Sequence, residues 1–146
     1  MMDWNFLHRL QNVYDCDVTS EDDKAILINR VNGRSIEVRV EKLVDLEGNT
    51  EIRYIVAFVT QHRHIDDLKG VEEYIISILE EEVLAIEFYT NGKNRFGGDI
   101  ARSDGAAISI DYLAKHFHYQ AEYLSQFDYE VYSWSGKYDD TRQKCQ

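Results

Sequence analysis

Hydrophobic positions recur along this chain with two periods, and the switches between them mark its elements. Trp4, Leu7, Leu10 and Tyr14 return at helical spacing behind Asp3, a residue type that caps helix starts, so a first helix is predicted there. Residues 15–24 are polar and short and read as a loop. Residues 25–31 form a first strand, and Asn32-Gly33 then supplies the pair that a tight type I′ hairpin requires. In residues 35–46, Ile36, Val38, Val40 and Val44 alternate with Glu37, Arg39 and Glu41, the mark of a strand with one buried and one wet face. Glu47-Gly48-Asn49 is a second turn. Residues 51–60 carry Tyr54, Val56 and Phe58 among Ile55, Ala57 and Val59, apolar on both sides, which places this strand inside a sheet.

Residues 62–64 read as a connector. Asp66 is positioned to cap a second helix, whose stripe is Leu68, Val71, Ile75, Ile78 and Leu79 and whose far side bears Glu72, Glu73, Glu80 and Glu81. A strand over 83–90 follows. Asn91-Gly92 opens a long glycine-bearing connection through Gly97, Gly98 and Gly105. Ser103 or Ser109 begins a third helix lined by Ile110, Leu113, Phe117, Ala121 and Leu124. Residues 129–134 alternate as a last strand, and a polar tail occupies 135–146. The order α-β-β-β-α-β-α-β predicts an α+β fold in which an antiparallel-rich mixed sheet of about five strands carries two or three helices, mainly on one face. A length of 146 residues makes a single domain over 1–146 the expectation.

Charge changes the picture more than length does. The chain has 27 acidic and 16 basic residues, a net charge of -11. Such a surface repels phosphate backbones and anionic lipid heads, so nucleic acid and membranes are not expected partners, whereas a basic protein is drawn to it. The start Met1-Met2-Asp3-Trp4-Asn5 has no basic residue and no long apolar run follows, so a cytoplasmic protein with Cys16 and Cys145 as free thiols is expected.

Candidate chemistry is thin. His62 and His64 point the same way along an extended segment and would approach one metal ion together, but zinc takes three or four protein ligands, and no spacing supplies the third. His116 and His118 diverge on a helix. The run from Gly92 to Gly98 has the glycine spacing of a phosphate loop, yet Gly98 stands where the lysine belongs and Asp99 where a hydroxyl would hold magnesium. No G-x-S-x-G elbow occurs, and both cysteines lie among polar residues. No enzyme activity and no cofactor are expected.

What remains is the surface. Between Asp66 and Thr90 stand eight acidic residues against one base, Lys69, a net of -7 that includes Glu72, Glu73, Glu80, Glu81 and Glu82. Near the C-terminus Asp128, Tyr129, Glu130, Tyr132 and Trp134 interleave acids with aromatic rings, as an interface for a basic protein requires. The expectation is a small acidic inhibitor, acting as a monomer or homodimer, similar in size and charge to the immunity and antitoxin proteins that neutralise basic, nuclease-type toxins. Two other readings are a phage-encoded anti-defence protein that mimics nucleic acid, and a metal-binding enzyme or sensor built on His62 and His64.

Overall fold

A computed structural model describes residues 3–59, 61–102 and 109–142. The fold is α+β, with two antiparallel sheets rather than one. The first sheet is a meander of β1 (Cys16–Ser20), β2 (Lys24–Asn29), β3 (Ser35–Val44), β4 (Thr50–Phe58) and β5 (Gln61–Ile65), each paired with the next. The second has the order β7-β6-β8-β9, from β6 (Val83–Thr90), β7 (Lys93–Ala101), β8 (Asp128–Tyr132) and β9 (Asp140–Arg142). Short helices α1 (Asn5–His8) and α2 (Gln11–Tyr14) precede the first sheet, α3 (Leu68–Leu79) joins the two sheets, and α4 (Ile110–Phe117) and α5 (Ala121–Leu124) lie between β7 and β8. None of the helices among the described residues is long and apolar enough to cross a membrane.

The alternation read in the third strand sets the first core. Ile36 and Val38 on β3 pair with Phe58 and Val56 on β4, and all four are buried beneath Leu7 and the α3 residues Val71, Ile75 and Ile78. The same cluster takes in Ala85 and Trp134 from the second half of the chain. The second core lies on the other face of the second sheet, where Leu84, Ile86 and Phe88 meet Leu113 and Leu124 of α4 and α5.

Several expectations shift. Residues 15–24 hold the edge strand β1, which buries only Cys16 and Val18, too few positions for the period to show. The type I′ hairpin forms at the other Asn-Gly pair: Asn91 and Gly92 have φ of 52° and 77° and join Thr90 directly to Lys93. At Asn32-Gly33 only the glycine has positive φ, because Asn29 pairs with Arg34 across a four-residue turn and its side chain accepts from Val31 N and Asn32 N. The cap of α3 is Asp67, whose carboxylate accepts from Gly70 N at 2.6 Å, one residue beyond the expected Asp66. Ser109 caps α4, Ser103 lies outside the described residues, and the third helix breaks at His118, whose φ is 61°.

The connection through Gly97 and Gly98 is strand β7. Its glycines serve close approach rather than turning: a β-carbon on Gly98 would lie 2.4 Å from the Phe117 ring, and one on Gly97 would lie 2.5 Å from the Glu87 carboxylate. The expected polar tail contributes β9, and Cys145 lies outside the described residues.

Candidate functional site

The glutamates of α3 emerge on the side away from its buried stripe. Glu73, Glu80 and Glu82 are exposed and Glu72 and Glu81 half-buried. Among the described residues none of these five is in an ion pair. Two accept neutral donors. The Tyr14 hydroxyl donates to Glu80, which together with burial pushes the tyrosine up to about 12. Ser135 N donates to Glu81.

Glu81 also closes the helix. It stands just past the C-cap with φ of 60°, a place where glycine is the usual residue, and Glu82 N returns to Ser77 O at 2.9 Å. A glutamate there carries backbone strain that a glycine would not.

Asp67, Glu73, Tyr74, Ser77 and Arg63 line a groove of about 540 Å³ between α3 and the edge strand β5. Glu87, which contributed to the charge count of this region, does not belong to the surface. It is 1 % exposed, on the β6 face that points between the sheets.

The C-terminal aromatic residues are placed otherwise than expected. Tyr129 is 7 % exposed and packs 5.9 Å from Phe88 in the second core, and Trp134 is 4 % exposed and packs 6.2 Å from Phe58 in the first. Neither is an exposed anchor. Strand alternation explains this: Tyr129 and Val131 face α4 and α5, which leaves Glu130 and Tyr132 on the opposite side. Tyr132 is half-buried, donates to Glu130 and sits 3.3 Å from the Tyr89 hydroxyl; burial, followed by the Glu130 bond, raises its pKa. Asp128 is half-buried on β8.

His62 and His64 project together from β5 with ring centroids 5.3 Å apart, as their spacing implies. No group of three His, Cys, Asp or Glu side chains suited to a metal ion forms among the described residues. The pair therefore lacks a third ligand there.

Two polar seams join the sheets, and neither was read from the sequence. In one, the Tyr74 hydroxyl lies 2.8 Å from both oxygens of Asp99, to which Gln61 also donates. Arg63 stands 3.7 Å from the same carboxylate, its guanidinium 4.9 Å from the centre of the Tyr74 ring. Burial, then the Asp99 charge, pushes the Tyr74 hydroxyl well above the ordinary tyrosine range. In the other seam, Asn29 and Asn32 donate to Trp134 O at 2.9 and 3.0 Å, and Arg34 grips Asp139.

Beside the first seam is a cleft of about 400 Å³ lined by Gln61, His62, Arg63, Asn94, Gly97 and Asp99. Its residues come from β5 and β7, two stretches that read as connections, and the paired glycines are their one visible mark in the sequence.

The chain matches no family model, and no curated protein or solved structure is significantly similar to it.

Proposed function

We propose that this chain is a small acidic inhibitor that binds a basic protein, of the immunity or antitoxin type that neutralises a nuclease-type toxin. The observation that carries the reading is the set of carboxylates on α3 and the turn after it, Glu72, Glu73, Glu80, Glu81 and Glu82, which among the described residues meet no cation. A carboxylate with no cation beside it keeps its field outside the molecule, where it speeds encounter with a positively charged surface and is neutralised on contact. A nuclease domain must carry such a surface to hold a polyanion. Covering it with an acidic helix removes the substrate's access without any chemistry in the inhibitor.

The binding surface is α3, its C-terminal turn and the groove beside Glu73; the buried Tyr129 and Trp134 have no part in it. The test is surface plasmon resonance against a panel of basic nuclease domains at low and high salt. Tight binding whose association rate falls about tenfold or more between roughly 0.05 M and 0.5 M salt supports the reading. Binding indifferent to salt, or none to any basic domain, removes it.

A further inference from the structure

The hairpin of β3 and β4 outruns the sheet that carries it. The ladder with β2 ends at Arg39 and the ladder with β5 begins at Tyr54, so residues 41–44 and 50–53 pair only with each other, as a two-stranded ribbon. Parity along the ribbon is that of the sheet. Ile36, Val38, Val56 and Phe58 are buried on the side where α3 packs, and the same side continues outward through Val44 and Ile52, which are 67 % and 47 % exposed. Leu46, at the apex, is fully exposed. A two-stranded ribbon alone is marginal in water, and this one is braced at both ends. At its base Glu41 meets Arg53 at 2.8 Å. At its tip the Asp45 carboxylate accepts from Glu47 N at 2.9 Å and from Asn49 N at 2.8 Å, Asp45 N donates to Asn49 O, and Gly48 supplies a positive φ of 86°.

Val44, Leu46 and Ile52 are thus held in solvent on a projecting, pre-ordered element, and none of them belongs to either core. An element already ordered loses little freedom on binding, so apolar groups mounted on it gain more affinity from burial than groups on a floppy loop. Charge decides what buries them. Glu41 and Arg53 neutralise each other, which leaves Asp45, Glu47 and Glu51 against Lys42, all in no ion pair among the described residues. A second copy would set the same acids, and a net charge of -11, against themselves. A pocket bordered by lysine or arginine meets them favourably. We propose that the β3–β4 ribbon is a second attachment point for the basic partner, with Leu46, flanked by Val44 and Ile52, seated in an apolar pocket whose rim is cationic. The proposal rests on the reading of the chain as a binder of a basic protein, and it adds the chemistry of a second patch on that partner. Because the ribbon's apolar side is the side on which α3 packs, one partner can meet both: the helix steers by charge and the ribbon holds by burial.

The test is kinetic and uses the full chain with the panel of basic nuclease domains, and poly-L-lysine as a polycation that offers no apolar pocket. Leu46→Ala leaves the charge unchanged. It is expected to speed dissociation from a captured domain about tenfold or more, with the association rate, its salt dependence and the binding of poly-L-lysine all unchanged. Val44→Thr combined with Ile52→Thr keeps β-branched residues in the ribbon and should speed dissociation by about threefold or more. Both variants are expected to keep the parent's denaturant midpoint; faster dissociation that tracks a lowered midpoint would assign these side chains to the fold and overturn the proposal. Dissociation like that of the parent in both variants removes the ribbon and leaves the inhibitor reading standing. Faster dissociation of the variants from a domain whose association ignores salt reverses that outcome, and capture of no domain removes both. A parent dimer in light scattering that Leu46→Ala turns into a monomer would give the ribbon to a second copy instead.

Discussion

The exposed face of the first sheet and the exposed face of α3 are both rich in carboxylates, yet they treat them in opposite ways. On the sheet and at its edge most acids have a cation: Glu37 lies 3.9 Å from Lys24 and also meets Arg39, Glu41 is 2.8 Å from Arg53, and Asp17 shares Arg30 with the adjoining Asp15 at 2.9 Å, while Glu51 of β4 is in no ion pair among the described residues. On α3 the glutamates meet none among the described residues. Strand geometry sets the pairing: Glu41 faces Arg53 directly across β3 and β4, while Glu37 reaches Lys24 diagonally on β2 and Arg39 two residues along its own strand. Cross-strand partners arrive at fixed spacing, whereas a helix face can pair only with its own turns, and α3 offers a single base, Lys69, in its first turn. The negative field of the molecule is thus set by where cations are absent, more than by where acids are numerous.

A third class of carboxylate, held between the sheets, carries the largest expected effect. Asp99→Ala leaves the buried Tyr74 hydroxyl and the Gln61 amide without their acceptor, at an expected cost of about 2 to 4 kcal/mol in denaturant unfolding. Tyr74→Phe removes only one donor and should cost about 1 to 2 kcal/mol. A change under about 0.5 kcal/mol for Asp99→Ala would show that the seam is an accessory to the apolar cores rather than part of what joins them.

The second seam sharpens the comparison through pH. Burial raises the pKa of Asp139, but the bonds from Arg34 and from Ser133 N outweigh it and hold the carboxyl below its ordinary value. A carboxylate depressed in the folded state contributes stability that is present above the ordinary carboxylate pKa and is lost as pH falls through the folded value. Asp139→Asn should therefore lose stability at neutral pH and show a flatter decline on acidification below about pH 4. An acid limb identical to that of the parent chain would assign the decline to other groups.

The sheet face itself should matter less. Arg39→Ala and Arg53→Ala break pairs that are partly open to solvent, and each is expected to cost below about 1 kcal/mol, less again in high salt. A larger loss that survives high salt would point to packing of the arginine stem over Ile55 rather than to charge.

These contrasts also show what a sequence discloses. The long strands and α3 were legible because each buries one face, so Ile36, Val38, Val56 and the stripe from Val71 to Leu79 repeat with the period of their element. β1, β5 and β7 were not, because edge strands bury few side chains; in β7 the two positions that matter are glycines that make room for neighbours, a requirement set by Glu87 and Phe117. The same limit applied to the candidate site. Acids on α3 were visible from helical spacing, but strand parity turned Tyr129 inward, and Trp134 was fixed by Asn29 and Asn32, over a hundred residues away. Asp99 read as a flaw in a phosphate loop because its partners, Gln61 and Tyr74, reach it only after the two sheets have met.

The smallest effect on folding is expected where the functional argument is strongest. Glu72, Glu73 and Glu82 hold nothing in place through charge, so changing all three to Gln should alter stability by no more than about 0.5 kcal/mol at high salt. At low salt the triple variant should be slightly more stable than the parent, since like charges along one helix face repel and their mutual cost is unscreened. Raising salt should accordingly stabilise the parent more than the variant, while the variant's association with a basic domain slows and loses much of its salt dependence. Glu80 and Glu81 stay unchanged, because Tyr14 and Ser135 N use them and their loss would mix structure into the measurement. A triple variant destabilised by more than about 1 kcal/mol at every salt concentration would mean that these carboxylates serve the fold, and that the contrast between a neutralised sheet and an uncompensated helix has no bearing on recognition.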